Sequence, residues 1–521
     1  MCPKGARHEN SAPAARSDRQ PEFRDAAGAS GSLPTLNVLL ALDVGTSSCR
    51  ALVYSALGRG LGGVSRVRYL PTTTADGGAV LDADRLVAAV VEAIDGVRVD
   101  RPLAAVGLTT FWHSLLGVGA DGRPVTPLLL WMDGRSGPDA RLLRATLDPV
   151  ALHARTGCPV HSSYWPAKLH WLRRTQPATF GAAARWISFG DYLAERLSGR
   201  PAGTSLSMAS ATGLYDQQAG RWDPELIEAL GLRLEQLPTI VSLDEGPRNL
   251  ATQFAGRWPA LRGVPWLPAI GDGAASNVGA GCLVAERIAV MVGTSAAVRA
   301  AWRGPAPGVA PDIWNYCLDA SRPVIGGAIN DGGVLLDWLR RTLRLPARPA
   351  LEAAVAAMTP AGHGLTLLPY FAGERSPVWR TDARGALLGA RIDSTPTEIY
   401  RAALEAIALL VGRIVTAVDS ALPTPSGSVV ATGGALLGSA TFRQIMADVL
   451  GRPVLRSAVP EGSSRGVALV AAETFGLLQT PLEALPPPIA SVVEPNPANR
   501  AIYQEALTRL IEAERAVVPE R

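Results

Sequence analysis

The chain alternates short apolar runs with segments rich in glycine and small polar residues. The continuous apolar run 38–42 predicts a buried strand, and the apolar stretch 51–54 predicts a second strand that returns along it. Asp43 and the small residues 45–48 fill the interval, so the pattern predicts a hairpin with a narrow tip. Such a tip offers hydroxyls and backbone N–H groups with little side-chain bulk, and it can approach phosphate oxygens closely.

The same pattern recurs in the second half of the chain. The tetrapeptide Val-Gly-Thr-Ser stands at 44–47 and again at 292–295, each time between apolar runs. One such tip is most often an ordinary hairpin, but the pair predicts two related α/β lobes that bring phosphate-binding hairpins to a shared cleft. This arrangement resembles the actin-like ATPase superfamily, which includes sugar kinases, chaperone ATPases and actin. The pair therefore predicts ATP binding.

Two aspartates follow apolar runs close to these tips. The carboxylate of Asp43 would lie beside the first tip, where Mg²⁺ needs an oxygen ligand or a water acceptor. Asp272 precedes a run of small residues that predicts a helix from Ala274, and a carboxylate at such a strand end can act as general base for a hydroxyl nucleophile. From its position alone Asp272 could equally cap that helix. The phosphate hairpin that follows favours the general base.

Aromatic and polar residues gather at predicted strand ends between residues 104 and 135. Apolar runs at 104–108 and 115–118 predict two strands, and Asp121-Gly122 predicts a hairpin turn after them. Six residues fall on one edge of these elements: Thr110, Trp112, His113, Trp131, Asp133 and Arg135. Rings that stack on C–H faces beside groups that bond hydroxyls are typical of a sugar site, although each residue alone would more often belong to a core.

Composition and charge exclude several kinds of partner. The 521 residues are 47% hydrophobic and 18% charged, an ordinary globular composition with room for two or three domains. The net charge of +4 is small and no Lys/Arg stripe with interleaved aromatics occurs, so we expect no nucleic-acid partner. No run of about 18 uncharged apolar residues occurs either, so we expect no membrane span.

The cysteines and the N-terminal segment indicate the compartment. The cysteines are scattered and form no Cys-x-x-Cys pair, so disulfide and zinc frameworks are not expected and a reducing, cytoplasmic location is. Residues 1–35 contain Pro, Ser, Arg and Ala without apolar periodicity or the apolar core of a signal peptide. We therefore expect a disordered N-terminal tail.

Several segments, in the same order along the chain, resemble the FGGY family of carbohydrate kinases. Residues 43–50 resemble the first phosphate motif of that family. Residues 271–279 are similar to the segment that carries its catalytic aspartate, and residues 293–299 to its second phosphate motif. The segment from Val429 resembles its adenosine motif, and the segment from Glu461 resembles the usual continuation. The resemblance extends from residue 37 to about residue 480 and is specific because the whole series is present.

The resemblance implies a fold and its division. It implies an α/β protein with two actin-like, ribonuclease H-like lobes, whose mixed central sheets flank an ATP and sugar cleft. The N-terminal lobe would span residues 36–282 and hold the sugar pocket, the first phosphate loop and the catalytic aspartate. The C-terminal lobe would span 287–521 and hold the second phosphate loop and the adenosine site. We expect the amphipathic helix at 399–422 to pack at the lobe interface.

The resemblance also implies site residues, ATP and Mg²⁺. Asp272 would be the catalytic base and Asp43 the residue that holds Mg²⁺. The implied ATP-binding residues are Gly45, Thr46, Ser47, Gly293, Thr294, Gly433 and Gly434. The implied substrate-binding residues are Trp112, His113, Trp131, Asp133, His161, Lys168 and Asp272. The expected partners are ATP and a small sugar or sugar acid; a homodimer is left open.

The identity of the sugar rests on finer similarities. Residues 112–118, 156–161 and 326–340 resemble the gluconate kinases of the family, which predicts phosphorylation of D-gluconate to 6-phosphogluconate. A sugar acid needs a cation for its carboxylate, and three residues are available: Lys168, Arg135 and His161. Ser162 and Trp165 depart from the family's signature in this region, so we expect a reshaped pocket wall.

Three other functions remain open from the sequence. A kinase for a ketose such as xylulose or ribulose shares the rest of the template. An actin-like nucleotide switch that phosphorylates no sugar would keep the paired loops without needing the aromatic edge. A sugar-sensing protein with a dead active site is disfavoured because Asp43, Asp272 and both loops are intact.

Overall fold

A computed structural model describes residues 37–380 and 383–518, so the predicted tail at 1–35 lies outside the described residues. The strands are, in chain order, β1 (Val38–Val44), β2 (Ser48–Ser55), β3 (Gly60–Arg68), β4 (Thr72–Thr73), β5 (Ala79–Leu81), β6 (Leu103–Thr110), β7 (Leu116–Val118), β8 (Leu128–Leu129), β9 (Arg185–Ile187), β10 (Thr204–Ser205), β11 (Tyr215–Asp216), β12 (Arg221–Trp222), β13 (Ile240–Val241), β14 (Ile270–Gly271), β15 (Arg287–Val292), β16 (Ala296–Ala301), β17 (Trp314–Asp319), β18 (Arg322–Ile329), β19 (Thr366–Leu368), β20 (Ala386–Leu388), β21 (Ser428–Thr432), β22 (Val454–Ser457) and β23 (Ile489–Val493).

The helices connect and cover these strands. They are α1 (Ala83–Asp95), α2 (Gly137–Thr146), α3 (Pro149–Thr156), α4 (Trp165–Thr175), α5 (Pro177–Ala182), α6 (Phe189–Ser198), α7 (Leu206–Ala209), α8 (Pro224–Leu230), α9 (Thr252–Arg257), α10 (Asp272–Gly279), α11 (Gly333–Thr342), α12 (Arg348–Ala356), α13 (Pro396–Ala421), α14 (Gly434–Leu437), α15 (Ala440–Leu450), α16 (Gly462–Thr474) and α17 (Arg500–Val517), with 3₁₀ turns at Leu234–Gln236, Pro259–Leu261, Leu482–Ala484 and Pro497–Asn499.

Two mixed sheets share one strand plan. In the first, the order is β14-β6-β1-β2-β3, with β6 and β14 parallel to β1 and the β1-β2-β3 meander antiparallel. In the second, β22-β21-β15-β16-β18 repeats that plan, and β17 and β23 extend its two edges. The prediction of two α/β lobes with mixed central sheets is confirmed, and each sheet carries its phosphate-type hairpin between the corresponding strands.

The apolar runs become the buried strands of these sheets. Every residue of β1 is buried, because β1 lies between β2 and β6 in the sheet and α16 packs against it. Separate apolar cores form behind the two sheets, one around β1 and β6 and the other around β15 and α13. The helices α10 and α16 pack against each other, and α16 also crosses β1 and β6, so the last part of the chain returns to the first sheet.

The long helix predicted at 399–422 spans α13, Pro396–Ala421. A capping box fixes its start: Thr395 accepts a hydrogen bond from the N–H of Glu398, whose carboxylate accepts one from the N–H of Thr395. The predicted place at the lobe interface is wrong, because α13 packs against β16, β18 and neighbouring helices of the second lobe. The sequence pattern favoured an interface for the apolar stripe of α13, but the stripe is part of the apolar core of the second lobe.

No helix among residues 37–380 and 383–518 is long and apolar enough to cross a membrane.

Candidate active site

The two hairpin tips reach the same cleft. The first tip closes with a hydrogen bond from the N–H of Gly45 to the carbonyl of Ser48 (3.0 Å), and the second with one from Gly293 to Ser295 (2.9 Å). Both turns leave small polar side chains at their outer ends, and four of these line a cleft of about 530 Å³: Thr46, Ser47, Thr294 and Ser295. Gly45 forms the turn behind them and does not line the cleft.

Three neighbouring cavities lie at the site. The cleft of about 530 Å³ is the aromatic chamber. A polar chamber of about 360 Å³ adjoins it, and the two share Asp272, Met291 and Arg299 in their walls. An outer chamber of about 660 Å³ adjoins the aromatic chamber at Thr294.

Gly433 and Gly434 lie where the polar and outer chambers approach each other. Gly433 lines the polar chamber and Gly434 the outer one, together with Gly293. Gly433 has φ 85°, and a Cβ there would lie 2.5 Å from the backbone carbonyl carbon of Val292. Only glycine fits this contact between the end of β21 and the second hairpin.

Asp272 lies at the junction of the aromatic and polar chambers. The strand β14 pairs in parallel with β6, so its last residue Gly271 lies opposite Thr110 and Asp272 follows at the sheet edge. The carboxylate accepts a hydrogen bond from the N–H of Gly273 at 2.7 Å, and Gly271, not Asp272, is the N-cap of α10. Burial raises the pKa of Asp272 to about 6, against the opposing influence of Arg299. A carboxylate with this pKa is ionised at neutral pH and still able to accept a proton.

The polar chamber is lined by carboxylates. Asp43 is buried there, accepts hydrogen bonds from Arg50 (3.2 Å) and Ser464 (3.1 Å), and has a pKa raised by burial. Asp272 and Glu461 line the same chamber. No group of three His, Cys, Asp or Glu side chains within the described ranges could hold a metal alone. The donor set fits Mg²⁺, which binds through one or two carboxylates together with substrate phosphates.

Trp112, His113 and Trp131, three of the expected substrate-binding residues, line the aromatic chamber. The indole N–H of Trp112 donates to the carbonyl of Ser207 (2.9 Å), and that of Trp131 donates to Oγ1 of Thr46 (3.2 Å). Both rings are therefore fixed by their polar ends in the wall of the cavity.

His113 is held in one tautomer. Its Nδ1 lies 2.7 Å from the carbonyl of Ala211, and because a carbonyl only accepts, Nδ1 carries the proton. Burial lowers the pKa of His113 to about 3, so the ring is neutral and Nε2 can accept a hydrogen bond. The backbone of His113 has φ 65°, an unfavourable conformation for a residue with a side chain.

Lys168 stabilises that conformation instead of lining the chamber. Its ammonium Nζ donates to the carbonyl of His113 at 2.7 Å, and burial lowers its pKa to about 7. The neighbouring Trp165 is also buried in the core: its indole N–H donates to the carbonyl of Ser114, and its ring stacks on Trp222. The expected reshaping of the pocket wall by Trp165 is therefore not found.

Asp133, Arg135 and His161 also lie outside the three chambers. Asp133 is buried and accepts hydrogen bonds from Arg135 and from the N–H of Ala79, which joins β5 to the loop after β8. His161 is buried with its Nδ1 at 3.1 Å from Oγ of Ser163, and its pKa is lowered to about 3, so it is neutral. The sequence analysis placed these three residues at the substrate. In the structure their contacts hold the surrounding loops instead.

Several chamber residues were missed in the sequence. They are Tyr164, Arg299, Trp314, Tyr316, Arg375 and Trp379. The hydroxyls of Tyr164 and Tyr316 lie 2.6 Å apart and join the two halves of the wall, and the rings of Trp314 and Tyr316 stack at 4.0 Å. The signal for Arg375 was a polar segment between aromatics at 370–379 that fits neither a helix nor a strand.

The guanidinium of Arg375 stacks on Trp131, with its Cζ 4.6 Å from the ring centroid. Its Nε is buried without a hydrogen-bond partner, and within 37–380 and 383–518 its side chain makes no ion pair. Burial lowers its pKa to about 10, so it remains charged at neutral pH. Arg375 and Arg299 are the cations of a chamber whose acidic lining residue, among those described, is Asp272.

Two domain models of one family match the chain. The N-terminal domain of the FGGY family of carbohydrate kinases matches residues 38–279, and the C-terminal domain of that family matches residues 288–474. The chain therefore belongs to the FGGY family of carbohydrate kinases, enzymes that transfer a phosphoryl group to an alcohol group.

Similar proteins within the family act on different substrates. The chain is 26% identical to a gluconokinase of Bacillus subtilis (strain 168), over 85% of this chain and 88% of that protein. It is 30% identical to a glycerol kinase of Leptothrix cholodnii, over 86% and 93%. The ligand-bound xylulose kinase from Lactobacillus acidophilus matches 93% of this chain and 99% of its own with a TM-score of 0.86 at 27% identity.

Proposed function

We propose that this carbohydrate kinase uses ATP and Mg²⁺ in the cytoplasm to phosphorylate a terminal hydroxyl of a sugar acid, with D-gluconate, converted to 6-phosphogluconate, as the first candidate. The observation that carries the proposal is Arg375, a charged guanidinium in the wall of the aromatic chamber without an anionic partner among the described residues. A buried cation is costly unless an anion meets it, and a planar guanidinium binds a carboxylate through two hydrogen bonds. The similarity to a gluconokinase supports the same substrate.

The sugar acid would lie between Arg375 and Asp272. Its carboxylate would meet Arg375, its C–H faces would contact Trp112 and Trp131, and Nε2 of His113 would accept a hydrogen bond from a hydroxyl. These contacts would direct the terminal hydroxyl at the other end towards the carboxylate of Asp272. Arg375 thus takes the place of Lys168, Arg135 and His161, which the sequence suggested as partners of the carboxylate. Lys168 and Arg135 already donate hydrogen bonds within the protein, and His161 is neutral.

Asp272 would accept the proton of that hydroxyl while its oxygen attacks the terminal phosphate of ATP. Thr46, Ser47 and Thr294, with the N–H groups of both tips, would hold the phosphates, and the outer chamber beyond Gly434 would take the adenosine. Asp43 would hold Mg²⁺, which when bound neutralises charge on the phosphoryl oxygens. The cytoplasmic location agrees with the unpaired thiols of the described cysteines.

The experiment is substitution of the proposed carboxylate partner. Arg375→Met should lower kcat/KM for gluconate by about one to two decades, because a charge-assisted hydrogen bond contributes about 1.5–3 kcal/mol. Neutral sugars should lose much less. Arg135→Met is the matched control, since Arg135 is an arginine of the same region that lies outside the chamber; it should affect acid and neutral sugars alike. Equal losses for gluconate and xylulose in Arg375→Met would contradict the proposal.

A further inference from the structure

Arg299 lies in the partition between the aromatic and polar chambers. It belongs to β16, opposite Ala289 of β15 and Gly326 of β18, in the middle of the second sheet. Together with Asp272 and Met291, its side chain lines both cavities. It is therefore a cation beside Asp272, where the sugar hydroxyl and the terminal phosphate would meet.

The guanidinium of Arg299 is a charge without a partner. Its Nε is buried and unbonded, and in the described part of the chain its side chain makes no hydrogen bond or ion pair. Burial lowers the pKa of Arg299 and the nearby carboxylate of Asp272 opposes that shift, but no ion pair joins the two groups. Buried polar groups are normally satisfied by hydrogen bonds, so this exception calls for an anion that arrives with a substrate.

The position of the guanidinium is fixed by its packing. A Cβ on Gly273 would lie 2.6 Å from Nε of Arg299 and 2.3 Å from Cζ3 of Trp112. The first turn of α10 thus leaves room for both side chains only because residue 273 is glycine. A cation held in this way needs little reorganisation when negative charge develops beside it, which is the condition for effective electrostatic catalysis.

We propose that Arg299 is a catalytic residue that contacts the phosphoryl group during its transfer and stabilises the negative charge on its oxygens. The inference rests on the proposed roles of ATP and Asp272, but not on which sugar is the acceptor. Arg375 lies over Trp131, whereas Arg299 adjoins Asp272 and lines both the aromatic and the polar chamber. The planar guanidinium can donate to two phosphoryl oxygens at once, which an ammonium group cannot do in the same geometry.

The transfer step is balanced without any further reactant. A bond forms between the sugar hydroxyl oxygen and the γ-phosphorus while the bond from that phosphorus to the β,γ-bridging oxygen breaks. The hydroxyl proton passes to the carboxylate of Asp272, and the electrons of the broken bond leave with ADP. Arg299 stays protonated and makes or breaks no covalent bond.

The test compares ground-state and transition-state affinity in Arg299→Met and Arg299→Lys. The sugar is the one that the wild-type enzyme phosphorylates fastest, and the ligands are ADP alone and ADP with aluminium fluoride, a mimic of the transferring phosphoryl group. Arg299→Met should lower kcat about 10²–10³-fold, as removal of one transition-state donor does elsewhere. Its affinity for ADP should change less than about threefold, while its affinity for ADP with aluminium fluoride should fall in proportion to kcat. Arg299→Lys should retain part of kcat and part of the affinity for ADP with aluminium fluoride.

Arg287→Met is the matched control, because Arg287 begins the adjacent strand and its Nε–H donates to the carbonyl of Gly281 outside the chambers. It should leave kcat and both affinities unchanged, and thermal unfolding checks that all variants fold. An equal loss of affinity for ADP and for ADP with aluminium fluoride would overturn the inference, as would a change confined to the KM of the sugar. Recovery of Arg299→Met at higher pH would also overturn it, since Arg299 would then act only through the ionisation of Asp272.

Discussion

Replacement of Asp272 by asparagine is the sharpest perturbation of the proposed chemistry. Asparagine is nearly isosteric and can still accept a hydrogen bond from the N–H of Gly273, so the start of α10 should survive. It cannot accept a proton from the sugar hydroxyl. A general base contributes about 10²–10⁴-fold to a rate, so we expect kcat of Asp272→Asn to fall by that factor while ATP binding is retained.

The pKa of the carboxyl adds a second, quantitative expectation. Because the pKa of Asp272 is about 6, the base is ionised above that pH and protonated below it. At pH 5, about one unit lower, roughly one tenth of the enzyme is competent, so kcat/KM should fall by about tenfold from its plateau. A raised carboxyl pKa favours the folded state only at low pH, an advantage lost as pH rises through about 6. The ionised carboxylate is thus a cost to stability at pH 8, and Asp272→Asn should unfold at an equal or higher temperature there.

A coupled kinase assay from pH 4.5 to 9, with calorimetric titration of ATP and thermal unfolding at pH 8, measures all three quantities. The expected pattern is lost turnover, retained ATP affinity and undiminished stability. Turnover of Asp272→Asn within about threefold of the wild type would show that Asp272 is not the general base, because a residue with only a structural role could be replaced at that cost.

Three further substitutions test the nucleotide-binding glycines and the support of the aromatic chamber one at a time. Gly293→Val should weaken ATP binding and leave sugar binding without nucleotide intact, by calorimetry; equal losses would indicate misfolding. Gly433→Ala, whose Cβ would lie 2.5 Å from the backbone of Val292, should lower both ATP affinity and unfolding temperature. Lys168→Met should lower kcat/KM for every sugar alike, since Lys168 holds the carbonyl of His113; selective loss of acid substrates would instead place it at the carboxylate.

The sequence was sufficient for the plan of the fold because its signal is local and duplicated. Apolar runs flanking two identical tips predict two hairpins, and both hairpins occur at the predicted strand ends. The interface role of α13 could not be predicted correctly, because an apolar stripe does not say which neighbour covers it. The two lobes are instead joined through α10 and α16, whose small residues carried no such signal.

The active site was predicted less completely than the fold, because the sequence does not show which groups the charged side chains contact. Residues at strand ends, such as Trp112 and Trp131, were identified because strand direction places them. Lys168 was taken for a carboxylate partner because sequence shows a cation but not its acceptor, which is the carbonyl of His113. Arg299 ends the second phosphate motif and Arg375 lies in an irregular polar segment, but their places in the chamber depend on contacts between segments far apart in the chain.

The phosphorylation of a sugar acid is best measured with the wild-type enzyme and a panel of acceptors. ATP turnover would be measured without sugar and with gluconate, xylulose, ribulose, glycerol and fuculose, each over a range of concentrations. We expect strong dependence on sugar and the highest kcat/KM with gluconate. A panel in which xylulose or ribulose exceeds gluconate by about tenfold, which corresponds to about 1.4 kcal/mol, would contradict the sugar-acid proposal. ATP turnover indifferent to every sugar would contradict phosphorylation of a sugar in this cleft altogether.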